Sequence, residues 1–144
     1  MSNVLSDYNK TRSSNVLRRD LYTDLPLGLQ VHPNLKDVRP LRDIDAVKQS
    51  IRNLILTNYG ERPFQPAIGS NITALLFEPA DTLTAIAIEK EVLAVLKRYE
   101  PRVGNVTIQV FDNSDRNAYH ITIGFKIIFS EEEQETNFYL QRLR

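Results

Sequence analysis

The spacing of apolar residues in this chain of 144 residues changes from helical to alternating near Gly104, and that change limits the folds open to it. Between Asp43 and about Tyr99 the apolar residues recur at helical spacing, whereas after Gly104 they recur at every second residue. Helical spacing predicts segments that bury one stripe, and alternation predicts strands that bury one face. Since strands and helices do not alternate, we expect an α+β domain: about three helices packed on a small antiparallel sheet.

The helical region divides into three predicted helices. The first is expected from residue 43 to about residue 58, with one core-facing stripe formed by Ile44, Val47, Ile51, Leu54 and Ile55. The segment "SNITALLFEP" predicts a short second helix that ends before its proline. Asp81 or Thr82 can cap a third helix, which runs to about Tyr99.

The segment "GERPFQPAIGS" joins the first two helices and contains two prolines and two glycines. Such a composition predicts a loop with a restricted backbone. We expect Phe64 and Ile68 to hold this loop against the core.

Residues 1–42 contain several turn-forming residues and show no sustained helical period, so we predict an extended N-terminal arm. Within the arm, "LPLGLQVHP" has apolar residues at every second position. That alternation predicts one short, half-buried strand.

A β-hairpin is the strongest strand prediction in the chain. The segment "NVTIQVF" and residues 119–129 both alternate, and they flank the turn-rich "DNSDRN". Beyond the acidic "EEEQE", Phe138 and Leu140 alternate once more at what we take as a free C-terminus. We expect this last strand to pair with another chain. The predicted organisation is an arm over residues 1–42, a domain over 43–130 and a C-terminal strand or tail over 131–144.

Several classes of function are disfavoured by the composition. The 18 basic and 18 acidic side chains cancel, so we expect neither nucleic acid nor a membrane as a partner. The chain has no cysteine, and its two histidines, His32 and His120, lack helical metal-ligand spacing, so we expect no metal. The scattered glycines form no phosphate-binding loop, which leaves no predicted cofactor. We also expect no signal peptide and folding in a cytoplasm.

Catalysis by paired carboxylates stays open as an alternative. Glycoside hydrolysis needs two carboxyl groups, one of them protonated in an apolar pocket. Four carboxylates lie at element boundaries, where clefts form, but their spacing selects no pair: Glu61, Glu78, Asp81 and Glu100. Ser70 is better explained as a helix cap than as a nucleophile.

The triplet Glu100-Pro101-Arg102 follows the longest predicted helix and has two physical interpretations. Pro101 must break the helix, because proline disfavours helical geometry in the residue before it. The first interpretation is a helix stop with an exposed ion pair, which contributes roughly 0 to 1 kcal/mol. The second is a partner-binding display, in which Glu100 and Arg102 point to the same side of an extended chain and the arginine offers a bidentate fork.

At the level of whole motifs, the sequence resembles a known family. Gly-Glu-Arg-Pro-Phe, Leu-Phe-Glu-Pro and Glu-Pro-Arg occur at specific spacings within Asp43 to Phe129. This combination is similar to the baseplate wedge and sheath-initiator proteins of contractile-tailed bacteriophages, which have a counterpart in the type VI secretion baseplate.

The resemblance implies a structural virion protein of the tail baseplate, assembled in the host bacterial cytoplasm. It implies a domain similar to the "handshake" domain of the tail sheath subunit. In this family, that domain initiates sheath polymerisation by pairing its strands with arms of the sheath. Glu100, Pro101 and Arg102 would contact the helical core bundle of the wedge, with further baseplate proteins as neighbours around the tube. Members of this family were long labelled lysozymes, and a peptidoglycan-cleaving enzyme is therefore the alternative function.

Overall fold

The computed structural model describes residues 20–34, 36–79, 81–113, 118–128, 130 and 132–141. In chain order the elements are β1 (Thr23–Asp24), β2 (Leu41–Arg42), α1 (Ile44–Leu56), α2 (Ile72–Leu75), α3 (Thr82–Tyr99), β3 (Val103–Asn113), β4 (Ala118–Ile127) and β5 (Glu133–Gln141). The predicted α+β class, with three helices and an antiparallel sheet, is confirmed.

One hydrophobic core joins the helices to the main sheet. The predicted stripe of α1 is buried, and α3 contributes a second stripe to the same core. The sheet contributes the inward residues of β4 and its neighbours. The most completely buried apolar members are Val47, Ile51, Ile88, Val92, Leu96, Tyr119, Ile121 and Ile123.

The main sheet has the strand order β3-β4-β5, and both pairings are antiparallel. The predicted hairpin is confirmed as β3 and β4. Its turn and Phe129 lie outside the described residues. The pairing of β3 with β4 shifts register between Gly104 and Thr107, whereas β5 keeps one register along β4.

The C-terminal strand corrects an expectation from the sequence. We expected it to be free for another chain, but β5 pairs with β4 of the same chain, with Phe138 opposite Ile121 and Leu140 opposite Tyr119. Phe138 and Leu140 are each only 6% exposed and belong to the core. Their alternation matches the buried face of β4, so pairing within the chain buries both side chains at once.

The arm also differs from its prediction. "LPLGLQVHP" forms no strand, because Leu27 and Gly28 lie in a turn closed by the Leu29 N–H, which donates to the Pro26 carbonyl at 3.0 Å. Its alternating apolar side chains are exposed, and Val31 alone of them forms a bridge, with Val38. Pro26 and Gly28, two residues apart, are both residue types that favour a turn over an extended strand. The arm pairs instead through β1 and β2.

The loop between α1 and α2 is held mainly by hydrogen bonds. The Ser70 hydroxyl donates to the Ile55 carbonyl at 2.7 Å, and the Tyr99 hydroxyl donates to the Ala67 carbonyl at 2.5 Å. Ile68 is half-buried, but Phe64 is fully exposed with a φ of 68°, so the expected anchoring by Phe64 is wrong. Two prolines and this hydrogen bonding fix the loop without the phenyl ring.

Across the described ranges, no helix is long and apolar enough to cross a membrane.

Candidate partner-binding site

The Glu-Pro-Arg triplet lies where α3 passes into the sheet. The Glu100 N–H donates to the Leu96 carbonyl at 2.9 Å, which completes the last helical turn, and Glu100 itself leaves helical geometry with a φ of −123°. Pro101 and Arg102 form a turn, and β3 begins at Val103. The predicted break of the helix at Pro101 is therefore confirmed.

Glu100 and Arg102 form a bidentate ion pair. Arg102 Nε lies 2.5 Å from Glu100 Oε1, and Arg102 Nη2 lies 2.6 Å from Glu100 Oε2. The glutamate side chain is 2% exposed and the arginine side chain 30% exposed. The expectation of an exposed ion pair is therefore wrong, and so is the expectation that both side chains are displayed to a partner. Glu100 is a buried support, and Arg102 is the member of the pair that is partly exposed.

The protonation state of Glu100 follows from its contacts. Burial alone raises the pKa of the Glu100 carboxyl, but hydrogen bonds from Arg102 and Ser50 and the charge of Arg102 outweigh burial, so this pKa lies below its ordinary value. The same hydrogen bonding raises the pKa of Arg102. Glu100 is therefore ionised at neutral pH, whereas a general acid of a glycosidase needs a raised pKa.

The arm covers the other side of the guanidinium. Arg102 Cζ lies 5.0 Å from the centroid of the Tyr22 ring, within cation–π range. Tyr22 is held in turn by Asp43, whose Oδ1 accepts from the Leu21 N–H at 2.8 Å and from the Tyr22 N–H at 3.2 Å. Arg102 is thus fixed between a buried carboxylate and an aromatic ring.

Part of this support could not be recognised from the sequence. Tyr22 lies in the arm, 80 residues before Arg102, and no local pattern connects the two. Ser50 offered a weak signal, because a polar residue adjoins the buried Ile51 of α1. Asp43 directly precedes α1, but its side chain makes no cap hydrogen bond and binds the arm instead.

The other residues expected to bind a partner, Phe138 and Leu140, lie elsewhere in the fold. Arg102 immediately precedes β3, whereas Phe138 and Leu140 lie on β5, and β4 separates those two strands. Because Phe138 and Leu140 point into the core, they do not form a binding surface. What β5 offers to a partner is its outer backbone edge and the side chains of the solvent face.

Two of the other candidate carboxylates have local structural contacts. Asp81 Oδ1 accepts from the Thr84 N–H at 2.7 Å and caps α3, while Glu61 Oε2 accepts from the Asn58 N–H at 2.8 Å. Within the part of the chain that the structure describes, no group of three or more acidic or histidine side chains could hold a metal ion.

Fold and site together define a small α+β domain with an ion-paired junction between its long helix and its sheet. The chain belongs to the family described as baseplate wedge protein gp25, which matches residues 42–132. The family resemblance inferred from the motifs is therefore confirmed.

One sequence relative supports this assignment, and two solved structures share the fold. Baseplate wedge protein gp25 of Enterobacteria phage T4 is 30% identical over 115 residues, which cover 80% of this chain and 86% of that protein. A Geobacter sulfurreducens protein described as a tail lysozyme has a TM-score of 0.64 at 23% identity, covering 68% of this chain and 89% of its own. A chain of the baseplate complex of the type VI secretion system has a TM-score of 0.54 at 17% identity, covering 66% and 91%.

Proposed function

We propose that this chain is a structural wedge component of a contractile-tail baseplate in the virion, assembled in the host bacterial cytoplasm. It docks on the helical core bundle of the wedge through Arg102, and it initiates the tail sheath by pairing a sheath strand with the edge of β5. The observation that carries the docking role is the side chain of Arg102, whose guanidinium is held by a buried carboxylate while the side chain as a whole is still 30% exposed.

The geometry of Arg102 suits recognition of a partner acceptor. Its Nε and Nη2 atoms bind Glu100, and no acceptor besides Glu100 takes a hydrogen bond from this side chain within the described residues. A guanidinium has five N–H groups, so three remain available to carboxylate or carbonyl oxygens of a partner. Because the side chain is already fixed, little rotamer entropy is lost when a partner binds.

A direct test must separate docking from folding. Arg102→Ala would leave the Glu100 carboxylate buried and unpaired, so the variant would lose stability whether or not it docks. The double variant Glu100→Met with Arg102→Leu removes both charges and keeps apolar volume, and such replacements of a buried pair are often neutral for stability.

We expect the double variant to fold with a melting temperature close to that of the unchanged chain and to be absent from assembled wedges. The lost interface contact would cost about 2 to 5 kcal/mol of binding free energy. Co-purification of wedge complexes measures incorporation of the variant, and the thermal melt of the isolated chain, as the control, measures its stability. Normal incorporation of the folded double variant would exclude docking through Arg102.

The sheath role rests on the edge of β5. An edge strand has unpaired N–H and C=O groups along its outer side, which are a template for an added strand. The acidic residues of β5, such as Glu135 on its solvent face, discourage pairing between copies of this edge by charge repulsion.

Disulfide cross-linking can test the pairing, because the chain has no cysteine of its own. Glu135→Cys or Asn137→Cys would be combined with single cysteines along the arms of the tail sheath protein. We expect cross-links only at alternate arm positions, since side chains on one face of a strand recur every second residue. Gln109→Cys, exposed on β3, is the control. Cross-links from Gln109→Cys alone, or none from β5, would contradict the proposal.

The lysozyme alternative has the weaker physical support. A glycosidase would need one carboxyl kept protonated, whereas the pKa of Glu100 lies below its ordinary value. We expect the purified chain to give no clearing of peptidoglycan. Clearing that is lost in Glu61→Gln, Glu78→Gln or Glu100→Gln would favour the enzyme instead.

A further inference from the structure

Three ring-bearing side chains form a ladder across the solvent face of the main sheet. Phe111 of β3 lies directly opposite His120 of β4, and His120 lies directly opposite Tyr139 of β5. We call these three residues the aromatic ladder. It spans the whole sheet, so each of its end rings lies on an edge strand.

The rings stack on one another through their faces. The centroids of Tyr139 and His120 are 4.6 Å apart with an interplanar angle of 21°, and those of His120 and Phe111 are 6.4 Å apart with an angle of 25°. The tighter distance is close to the 4.7–4.9 Å that separates neighbouring strands. The ring planes therefore lie roughly perpendicular to the direction in which neighbouring strands pair. Each ring presents a face to the ring on the next strand.

The two end rings are open on their outer sides. Tyr139 is 68% exposed and Phe111 is 55% exposed, while His120 between them is half-buried. A strand added at either edge would place one side chain on this face, about 4.8 Å from the end ring. The ladder would then gain a fourth member.

The edge of β5 is the more regular of the two. β3 is interrupted by the register shift between Gly104 and Thr107, where Asn105 has a φ of 48°, and irregularities of this kind disturb the pairing of an edge. β5 keeps one register with β4 along its length, from Glu133 to Gln141. The tight end of the ladder also lies on β5.

We propose that Tyr139 selects the strand that pairs with β5, by stacking on a planar side chain directly opposite it in the incoming strand. That side chain is an aromatic ring, an imidazole or a guanidinium. This inference rests on the proposed use of the β5 edge for strand pairing and adds the feature by which a partner is recognised. A ring or guanidinium fills the narrow gap beside Tyr139 with full face contact, whereas a branched or acidic side chain does not.

A peptide library tests this without assuming the sheath as partner. Random nine-residue peptides displayed on yeast would be selected on the purified full chain, and enriched peptides would be synthesised. Their register is set by disulfide formation with Asn137→Cys, which lies on the same face of β5. The chain contains no tryptophan, so the fluorescence of a tryptophan peptide reports binding without background.

We expect enrichment of Phe, Tyr, Trp, His or Arg at the peptide position opposite Tyr139. Tyr139→Thr should weaken binding of these peptides about 2- to 12-fold, the range of an aromatic pair, while Tyr139→Phe should bind as the unchanged chain does. Phe111→Thr is the matched control, because it also removes one end ring of the ladder. Its binding should be unchanged.

Other results would overturn the inference. These are the absence of enriched peptides that cross-link to β5, equal binding by the Tyr139→Thr variant, or a loss that appears in Phe111→Thr instead. Failure of the sheath cross-linking described above, with success of the peptide experiment, would show that the selective edge exists but serves another partner. The two proposals can therefore fail separately.

Discussion

Glu100 shows how much one residue's role depends on its surroundings. In isolation it ends a helix beside a proline, and three roles were open to it: helix stop, partner contact and acid catalyst. Its burial and its bidentate contact with Arg102 favour a fourth, which is to hold the guanidinium in place. A carboxylate fixed by two hydrogen bonds from arginine positions that side chain more precisely than packing alone can.

The Glu100–Arg102 pair predicts a pH-dependent contribution to stability. The pKa of Glu100 is lower in the folded chain than its ordinary value of 4.5, so its contribution is present above about pH 4.5 and is lost as pH falls through the folded pKa. Glu100→Gln lacks this charge. We expect it to lower the free energy of unfolding by about 1.5 to 3 kcal/mol at pH 7.

Urea unfolding of both chains at pH 7 and at pH 3.5 measures this effect. The gap between the unchanged chain and Glu100→Gln should narrow at the lower pH, because the carboxyl of the unfolded chain takes up a proton below its ordinary pKa of 4.5, whereas the folded carboxyl keeps its charge to lower pH. Asp45→Asn, an exposed position in the first turn of α1, is the control. A gap that stays constant with pH would mean that the charge of Glu100 does not stabilise the fold.

At the scale of elements, α1 joins the arm to the domain. The residue directly before α1, Asp43, has a φ of 43° and directs its carboxylate to the backbone of Leu21 and Tyr22. Gln49, one and a half turns along the helix, donates to the Leu25 carbonyl at 2.5 Å. Helix and arm thereby build one side of the Arg102 site, although they were predicted as separate units.

Removing the Asp43 carboxylate should therefore loosen the arm. We expect Asp43→Ala to reduce stability by about 1 kcal/mol, since both N–H groups can bond to water once released. Amide hydrogen exchange at Leu21 and Tyr22 should speed up, while exchange at Ile88 in α3 stays slow. Unchanged protection of Leu21 and Tyr22 would show that other contacts hold the arm.

At the scale of the whole molecule, one core serves both the helices and all three strands of the main sheet. The last strand therefore cannot be a detachable tail. Its inward side chains complete the core, and its outer edge and solvent face remain for a partner. The same strand thus stabilises the chain through one face and, in the proposed function, pairs with a sheath strand through its outer edge.

Deletion of residues 136–144 should unfold the domain rather than leave it folded without a docking strand. Phe138→Ala alone should cost about 3 to 5 kcal/mol, a large share of the 5 to 15 kcal/mol that stabilises a typical domain. Circular dichroism during heating measures both variants. Asn137→Thr, on the solvent face directly before Phe138, should melt near the unchanged chain. A truncated chain that stays folded would contradict the single-core description.

The sequence by itself determined the features that depend on neighbours along the chain. The third helix was expected from Asp81 or Thr82 to about Tyr99 and spans Thr82–Tyr99, because a capping carboxylate, one apolar stripe and a proline act within a few residues. The hairpin was predicted for the same reason, since alternation and a turn-rich segment are local signals.

Only the tertiary structure decided which of these surfaces are buried. Phe138 and Leu140 pair with β4 of their own chain, Phe64 is exposed, and Tyr22 covers Arg102 from the arm. Each outcome depends on contacts between residues far apart in sequence. Periodicity shows that a segment has an apolar face to bury, but it does not show which other segment or chain will cover that face. The burial of Glu100 is of the same kind, because the helix stop is local and its arginine, serine and core neighbours meet only when the domain folds.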